Sequence, residues 1–257
     1  MISSLKRLII GSPLEEPART FHRWLTLDRS ARMNQQYDRQ TRTIMERVLK
    51  RTSNCIDVGC HQGWILDDML RIAPDGTHFA FEPLPGLFRE LHRKYIGRAR
   101  LYNLALSDST GDTTFQHVVT NPAESGIKAI PHIRHEKSVE ITVRLGRLDD
   151  IVDKPVDLIK IDVEGAELQV LRGGLKTLEK NKPYVVFEHG SRGANSYGTT
   201  PEQVFDLFRD CAMHVSLMAD WLSGRPALSK KEFVSQFYHT KNFYFLAHHY
   251  LCRSGNF

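Results

Sequence analysis

The residues best suited to chemistry are glycines and carboxylates that follow short apolar runs. Asp57 and Gly59 end a run that begins at Cys55, and Gly63 precedes a helical pattern that starts near Trp64. Glycine lets a backbone approach a ligand closely, and the carboxyl edge of a parallel sheet is where α/β folds bind nucleotides. This glycine-bearing turn therefore predicts a site for a nucleotide-like ligand.

A further carboxylate makes the ligand more specific. Glu82 ends the next apolar run along the chain, and an acidic residue in that place accepts hydrogen bonds from ribose hydroxyls. The structural alternative is a plain tight turn followed by a solvent-facing Glu82 at a helix start. The order of the two features at successive strand ends disfavours that alternative. Together they predict an adenosine pocket.

The same turn indicates which adenosine cofactor to expect. A dinucleotide site usually has three glycines in a GxGxxG pattern, so that a pyrophosphate lies at a helix N-terminus. Here Asp57 precedes Gly59, and only Gly63 follows. A carboxylate at that place suits the ammonium group of a methionine moiety better than a pyrophosphate. The sequence thus favours S-adenosylmethionine and methyl transfer over hydride transfer.

Four further side chains are candidates for catalysis. Asp162 and Glu164 follow a fourth apolar run, and Glu188 and His189 end a fifth. Because the carboxyl ends of parallel strands share one edge of a sheet, all four are expected to project into one crevice. Lys160 is expected on the same face, but deeper. Methyl transfer to an alcohol needs reactants held at near-attack distance and a group that accepts the hydroxyl proton.

Two mechanisms remain open for this set. Either His189 or one carboxylate takes the proton, or Asp162, Glu164 and Glu188 hold a hard divalent cation that binds the substrate oxygen. We favour the base and assign no metal, since no ligand spacing in the sequence is diagnostic. The structural alternative for Glu164 is that it only caps the helix that starts near Ala166.

These side chains need a sheet to position them. Short β-rich runs alternate with helical patterns, which is typical of parallel strands joined by helical crossovers. Apolar spacing predicts one crossover helix over Leu87–Tyr95 and another over Leu168–Leu178. Five buried strands are predicted, at Cys55–Val58, His78–Phe81, Arg100–Leu104, Leu158–Ile161 and Tyr184–Phe187.

The remaining segments are expected to flank this sheet. A helix over Tyr37–Arg51 belongs to a predicted N-terminal extension of residues 1–53, and residues 54–257 form the predicted cofactor-binding domain. An insertion over Gly111–Asp150 interrupts the alternation, and insertions of that length often cover a site. It carries two strand-like pieces, Thr113–Val119 and Val139–Leu145, and two late strands, Met213–Met218 and Asn242–Ala247, are expected to close the sheet edge.

Composition restricts the class of protein further. The 257 residues are 41% hydrophobic and 25% charged, with a net charge of +5, as in an ordinary globular domain. The basic residues are scattered without the aromatic interleaving of an RNA-binding surface, so no nucleic-acid or membrane partner is expected. In Met1–Ile10 only the apolar run Leu8–Ile10 follows Lys6 and Arg7, and it is too short for the apolar region of a signal peptide. The cysteines form no CxxC pair, which favours reduced thiols in the cytoplasm: Cys55, Cys60, Cys211 and Cys252.

Several ordered blocks resemble the FkbM family of methyltransferases, over about Asn54 to His189. The blocks are Ile56–Gly59, Phe81–Pro83, Asn103–Asp108 with Gly111, Leu148–Ile151, and the characteristic stretch Leu158–Glu167 followed by Leu171 and Gly173. The chain departs from the family pattern just after Gly59, where Cys60, His61 and Gln62 replace the usual small residue and asparagine. His61 is therefore an unassigned polar group near the methyl donor.

The resemblance implies a Rossmann-like class I methyltransferase fold that binds S-adenosylmethionine. It implies Asp57 and Gly59 beside the cofactor, Glu82 on the ribose, and Ser107 with Asp108 near the adenine. The typical activity is methylation of a hydroxyl on a sugar, a glycan or a small secondary metabolite. A nicotinamide-dependent oxidoreductase and a nucleotide-binding module without catalysis are the alternatives. The acceptor and the oligomeric state are left open.

Overall fold

The computed structural model describes residues 15–129, 137–239 and 242–249, with the backbone alone for residues 15–31. It separates into two compact units, with the boundary between Gln40 and Thr41. The division of function between residues 1–53 and 54–257 stays a prediction. The expectations for Met1–Ile10 and for Cys252 fall outside the described residues.

Ten described strands form two sheets. In chain order they are β1 (Cys55–Val58), β2 (His78–Phe81), β3 (Arg100–Tyr102), β4 (Ala105–Leu106), β5 (Gly111–Val118), β6 (Ser138–Gly146), β7 (Leu158–Ile161), β8 (Tyr184–Glu188), β9 (His214–Leu217) and β10 (Tyr244–His248). The central sheet has seven strands in the order β3-β2-β1-β7-β8-β10-β9. The predicted strands at β1, β2 and β7 have the bounds that the sequence indicated.

The central sheet is parallel except at one edge. Strands β3, β2, β1, β7 and β8 pair in parallel, while β10 pairs antiparallel with both β8 and β9. Every residue of β1, β2 and β7 is buried, as expected for strands that are covered on both faces. This confirms the predicted Rossmann-like α/β fold with late strands at its edge. The strand order reverses between β1 and β7, the place where such sheets bind ligands.

Helices precede the first strand and connect most of the later ones along the chain. They are α1 (Glu15–Val48), α2 (Trp64–Ile72), α3 (Pro85–Tyr95), α4 (Leu148–Ile151), α5 (Glu167–Gly173), α6 (Leu175–Asn181), α7 (Ser191–Ala194), α8 (Pro201–Asp210), α9 (Met218–Leu222) and α10 (Lys230–Tyr238). Local sequence explains where two of them begin. Pro85 occupies the first turn of α3, where its missing N–H costs nothing, and Ser229 with Glu232 forms a capping box before α10.

The insertion supplies two strands, β5 and β6, of the second, three-stranded sheet, and β4 just before it supplies the third. Strand β6 lies in the middle, parallel to β4 and antiparallel to β5. An isolated bridge between Gln116 and Gly126 folds the following loop back onto β5. The strand-like pieces predicted inside the insertion are therefore strands, and they pair with each other rather than with the central sheet.

Two predicted elements, the N-terminal helix and the third strand, need correction. Helix α1 begins at Glu15 rather than Tyr37 and ends at Val48. The earlier turns lack a clear apolar stripe, but they contain no glycine and no proline after Pro17 to interrupt a helix. The third strand ends at Tyr102 rather than Leu104, because Asn103 Nδ2 turns to donate to the carbonyl oxygens of residues 82 and 83.

The crossover helix predicted over Leu168–Leu178 is two helices. Helix α5 ends at Gly173 and α6 begins at Leu175, so the break falls at Gly174. The apolar spacing continues across the break and hides it. Asp149 holds the start of α6 by accepting hydrogen bonds from the backbone N–H groups of Lys176 and Thr177, both at 2.9 Å.

Two further predictions concern the state of the cysteines and the absence of a membrane partner. Cys55, Cys60 and Cys211 are free and buried, as predicted for reduced thiols. Within the described part of the chain, no helix is long and apolar enough to cross a bilayer.

A methyl group at Gly173 should destabilise the fold. A Cβ there would lie 2.0 Å from the carbonyl oxygen of Ser107, so α5 would have to move away from the strand end. Gly173→Ala is expected to lower the free energy of unfolding by about 1–3 kcal/mol, measured by urea titration. Gly86→Ala is the matched control, because its Cβ would meet nothing within 4 Å, and it should cause no loss. Equal midpoints for both variants would contradict this account.

Candidate active site

The glycine turn after β1 is held on three sides by its neighbours. The backbone N–H groups of Gly59 and Cys60 donate to the carbonyl oxygen of Phe81 at the end of β2, at 3.0 and 3.2 Å. Tyr95 Oη donates to the carbonyl oxygen of Gly63 at 2.7 Å. Both glycines have left-handed backbone, with φ of 74° and 78°, which favours glycine. A Cβ at Gly59 would also lie 2.0 Å from the carbonyl oxygen of Asp162.

Glu82 lies beside this turn and is tied to it. Its Oε2 accepts from the backbone N–H of His61 and its Oε1 from that of Leu84, both at 2.9 Å. Burial raises the pKa of Glu82 to about 7, and the two hydrogen bonds oppose that rise. The carboxylate is thus fixed at the end of β2 and changes its charge near neutral pH. His61 itself is half-buried with φ of 45°, and its role stays unassigned.

Asp57 is a buried carboxylate without a hydrogen bond of good geometry. It is 1% exposed, and neither carboxylate oxygen has such a partner among the described residues. Burial raises its pKa, and the charge of Lys160 opposes the rise from an Nζ–Oδ1 distance of 3.8 Å. A buried polar group of this kind requires an explanation, and a cationic ligand group is one.

Ser107 and Asp108 lie between β4 and β5, two strands of the second sheet. Ser107 donates its backbone N–H to Gly146 at 2.9 Å and its hydroxyl to Asp108 Oδ1 at 3.3 Å. Its carbonyl oxygen lies against the backbone of Gly173 in α5. This placement explains the segment structurally, and contact with an adenine stays a prediction.

Three of the four predicted catalytic side chains converge. Asp162 follows β7, Glu188 ends β8, and each of Asp162, Glu164 and Glu188 offers an oxygen within 4.8 Å of the others. We call these three residues the acid cluster. Parallel pairing of β7 with β8 brings the two strand ends together, as the sequence indicated. All three side chains are half-buried, so a ligand could reach them.

The conformation of Glu164 argues against a capping role. Its φ is 55°, in the left-handed region, and the next residue, Gly165, has φ of 107°. Helix α5 receives no side-chain hydrogen bond at its N-cap, Ala166. The N–H of Gly165 is bonded instead by Glu167 Oε1, at 2.9 Å. Glu164 is therefore directed to the acid cluster and not to the helix end.

The acid cluster has an uneven distribution of charge. Burial opposes ionisation of Asp162, but the charge of Lys160 and several hydrogen bonds outweigh it and lower its pKa. Burial and then the negative charge of Asp162 raise the pKa of Glu164 and of Glu188 well above the ordinary value. One member of the cluster thus carries the negative charge, and the other two hold protons to higher pH.

His189 does not join this cluster. Successive side chains of a strand point to opposite faces, so His189 points away from the side that Glu188 occupies. It is fully buried between Phe233 and Phe237, with ring centroids 5.9 and 4.9 Å away. Burial lowers its pKa to about 4. The expectation that all four side chains share one crevice is therefore wrong for His189, and its position does not favour a catalytic role.

Tyr244 is a site residue that the sequence did not reveal. It lies opposite Glu188 in the antiparallel pairing of β10 with β8, and its Oη donates to Asp162 Oδ2 at 2.6 Å. Lys160 Nζ approaches the same oxygen at 3.3 Å. The aromatic character of residues 243–245 indicated a strand, but only the register of β10 places one ring over the acid cluster.

The loop of the insertion lies near the acid cluster. Glu124 pairs with Arg192 of α7 at 3.1 Å, and the N–H of Lys128 donates to Tyr197 Oη at 3.0 Å. A Cβ at Gly126 would lie 3.8 Å from the Cβ of Glu164. The loop therefore lies beside Glu164, and the covering of a site by the insertion stays a prediction.

Comparison with known proteins shows which family and which relatives this chain is similar to. Residues 57–215 match the model of the Methyltransferase FkbM domain. The chain is 30% identical to 2-O-methyltransferase NoeI of Sinorhizobium fredii, over 55% of this chain and 65% of that protein. It is 32% identical to Methyltransferase 1 of Beauveria bassiana, over 46% of this chain and 57% of that protein. The chain thus spans less than two thirds of either relative.

Among solved structures, a methyltransferase FkbM from Methylobacillus flagellatus is similar at a TM-score of 0.48 with 14% identity. That similarity covers 78% of this chain and 44% of the other.

Removing the Tyr244 hydroxyl should destabilise the folded protein. Tyr244→Phe deletes a hydrogen bond to an ionised carboxylate, so the free energy of unfolding at pH 7 should fall by about 1–3 kcal/mol. Because the pKa of Asp162 is lowered on folding, the contribution of its ionised form is lost as pH falls, and the difference from wild type should shrink in acid. Tyr238→Phe, at a ring that is 61% exposed, is the control and should change nothing. An equal loss in both variants would oppose this assignment.

Proposed function

The chain belongs to the FkbM methyltransferase family, and we propose that it transfers a methyl group from S-adenosylmethionine to a hydroxyl oxygen. The observation that carries the proposal is the proximity of two groups of residues at the point where the strand order reverses, between β1 and β7. The glycine turn with Asp57 and Glu82, which we call the donor pocket, lies on one side of this point, and the acid cluster lies on the other. The family membership supports S-adenosylmethionine as the ligand of this pocket.

The groups around the glycine turn support S-adenosylmethionine as the ligand. Asp57 is a buried carboxylate without a hydrogen bond of good geometry among the described residues, and the ammonium of a methionine moiety would supply one. Gly59 and Gly63 allow close approach of the backbone, and Glu82 would accept from the ribose hydroxyls. We keep Ser107 and Asp108 as the proposed adenine contacts.

The acceptor side requires a group that takes the hydroxyl proton. When bound, S-adenosylmethionine supplies a methyl group activated by a positively charged sulfur. We assign the base to the ionised form of Glu164, because burial and the charge of Asp162 raise its pKa and so make that form a stronger proton acceptor once the pH is high enough to ionise it. Asp162 stays ionised and would orient the hydroxyl. Glu188, whose pKa burial and the charge of Asp162 also raise, is the third proposed catalytic residue.

A divalent cation in the acid cluster is the alternative mechanism. Carboxylate oxygens suit a hard cation, and their spacing would permit shared ligation. The Lys160 ammonium, however, already lies 3.3 Å from Asp162 Oδ2, and the Tyr244 hydroxyl donates to the same oxygen. This atom is thus neutralised by the protein's own groups, which favours the base over the metal.

We propose a sugar, a glycan or a small secondary metabolite as the acceptor, and the cytoplasm as the compartment. The relative NoeI is a 2-O-methyltransferase by name, which supports an oxygen acceptor. The acid cluster would repel an anionic group next to the reacting hydroxyl. A nucleic acid, with its phosphates, fits that environment poorly.

Cofactor binding should depend on pH through Glu82. In calorimetric titrations the chain should bind S-adenosylmethionine and S-adenosylhomocysteine but not NAD. The pKa of Glu82 is about 7 in the ligand-free protein, and ribose hydroxyls donate to the ionised form. The dissociation constant should therefore be about tenfold larger at pH 6 than at pH 8, because the ionised fraction changes by about that factor.

Glu82→Gln keeps the size of the side chain and removes its charge. It should bind the methyl donor more weakly than wild type and with a dissociation constant that no longer follows pH. Binding of NAD in preference to the methyl donor would reject the proposed function. A pH dependence that survives the substitution would place the titrating group elsewhere.

Loss of the proposed base should abolish turnover but not donor binding. Glu164→Gln is expected to reduce transfer of radiolabelled methyl groups to a panel of sugars, oligosaccharides and phenols by about 10²–10⁴-fold. Its affinity for S-adenosylhomocysteine should stay within about twofold of wild type, because Glu164 lies on the acceptor side. Glu179→Gln, at an exposed position of α6, is the control and should keep full activity.

Chelation distinguishes the two mechanisms. Wild-type activity should persist in excess EDTA if Glu164 is the base. Loss of activity in EDTA that returns with Mg²⁺ would instead support the cation, and full activity of Glu164→Gln would remove this residue from the mechanism.

A further inference from the structure

Lys160 is a buried cation that contacts both halves of the site. Its side chain is 9% exposed, and its Nζ lies 3.8 Å from Asp57 Oδ1 and 3.3 Å from Asp162 Oδ2. It also donates to the carbonyl oxygen of Gly59 at 3.2 Å. One ammonium therefore touches the donor-side carboxylate, the glycine turn and the acceptor-side carboxylate.

Strand register fixes this arrangement. Asp57 and Lys160 are direct partners in the parallel pairing of β1 with β7, and Asp162 follows two residues after Lys160. The ammonium lies between two anions that the sheet holds in place. A neutral side chain of similar length would fill the same space, so packing alone does not require a charge here.

The charge matters because the proposed reaction changes the charge of the ligand. Transfer breaks the bond between sulfur and the methyl carbon, forms a bond between that carbon and the acceptor oxygen, and leaves the electron pair on sulfur. The hydroxyl proton passes to Glu164. The sulfur is thus positive before transfer and neutral afterwards. A pocket with excess negative charge would stabilise the positively charged donor more than the transition state, in which the positive charge on sulfur is already dispersing.

We infer that Lys160 is a positioning residue that balances the charge of the donor pocket, and so limits the preference for the positively charged donor over its neutral-sulfur product. This inference rests on the proposed function. Without Lys160, the carboxylates of Asp57 and Asp162 would lose the ammonium that lies between them beside the glycine turn. The donor would then bind more tightly relative to the product.

The test compares two dissociation constants and needs no acceptor. Calorimetry on the full chain gives the ratio of the constant for S-adenosylhomocysteine to that for S-adenosylmethionine. Lys160→Met should raise this ratio by about three- to tenfold, the effect of one charge within about 10 Å in a partly screened site. Lys160→Arg keeps the charge and should leave the ratio within about twofold of wild type.

Two further variants keep the test decisive. Lys230→Met removes a half-buried lysine in α10 that pairs with Asp206 at 2.7 Å, and it should leave the ratio unchanged. Asp57→Asn changes the pocket charge in the opposite direction and should lower the ratio, which supplies the answer if Lys160→Met does not fold.

The possible outcomes distinguish a failure of this inference from a failure of the proposed function. If wild type binds neither compound, the proposed function fails. If wild type binds both, but Lys160→Met changes both constants by the same factor, Lys160 is only structural and the inference is overturned. An unchanged ratio in Asp57→Asn would overturn it as well.

Discussion

The site depends on the close contact between the loops that leave β1 and β7. At Gly59 a single added carbon would lie 2.0 Å from the carbonyl oxygen of Asp162, so the contact exists only because residue 59 has no side chain. The backbone N–H of Asp162 in turn donates to the carbonyl oxygen of Val58 at 3.1 Å. This contact sets the distance between donor-side and acceptor-side carboxylates, and Lys160 occupies the space that it leaves beneath them.

Sequence patterns predicted the parts of the site that follow from strand ends. The apolar runs of β1, β2 and β7 are buried on both faces, so their limits are visible as changes in hydropathy, and the side chains after them share one edge. For that reason the sequence predicts that Asp162 and Glu188 lie together. The prediction is wrong for His189, because successive side chains along a strand face opposite sides and His189 directly follows Glu188.

Other features require knowledge of distant partners. Tyr244 reaches Asp162 through the register of an antiparallel strand about eighty residues later in the chain, and no local pattern specifies that register. The break between α5 and α6 is invisible to apolar spacing, because the contact of Gly173 with the backbone of Ser107 depends on where the second sheet packs. Long-range packing, and not local preference, decided each of these features.

The position of β10 has a consequence for how the molecule assembles. It follows β9 in the chain but lies between β8 and β9 in the sheet, so β9 has no place in the sheet until β10 has paired with β8. The strand that brings Tyr244 to Asp162 is also the one that joins this edge of the sheet together. During synthesis, the ribosome must release nearly the whole domain before the acidic pocket acquires its last hydrogen bond.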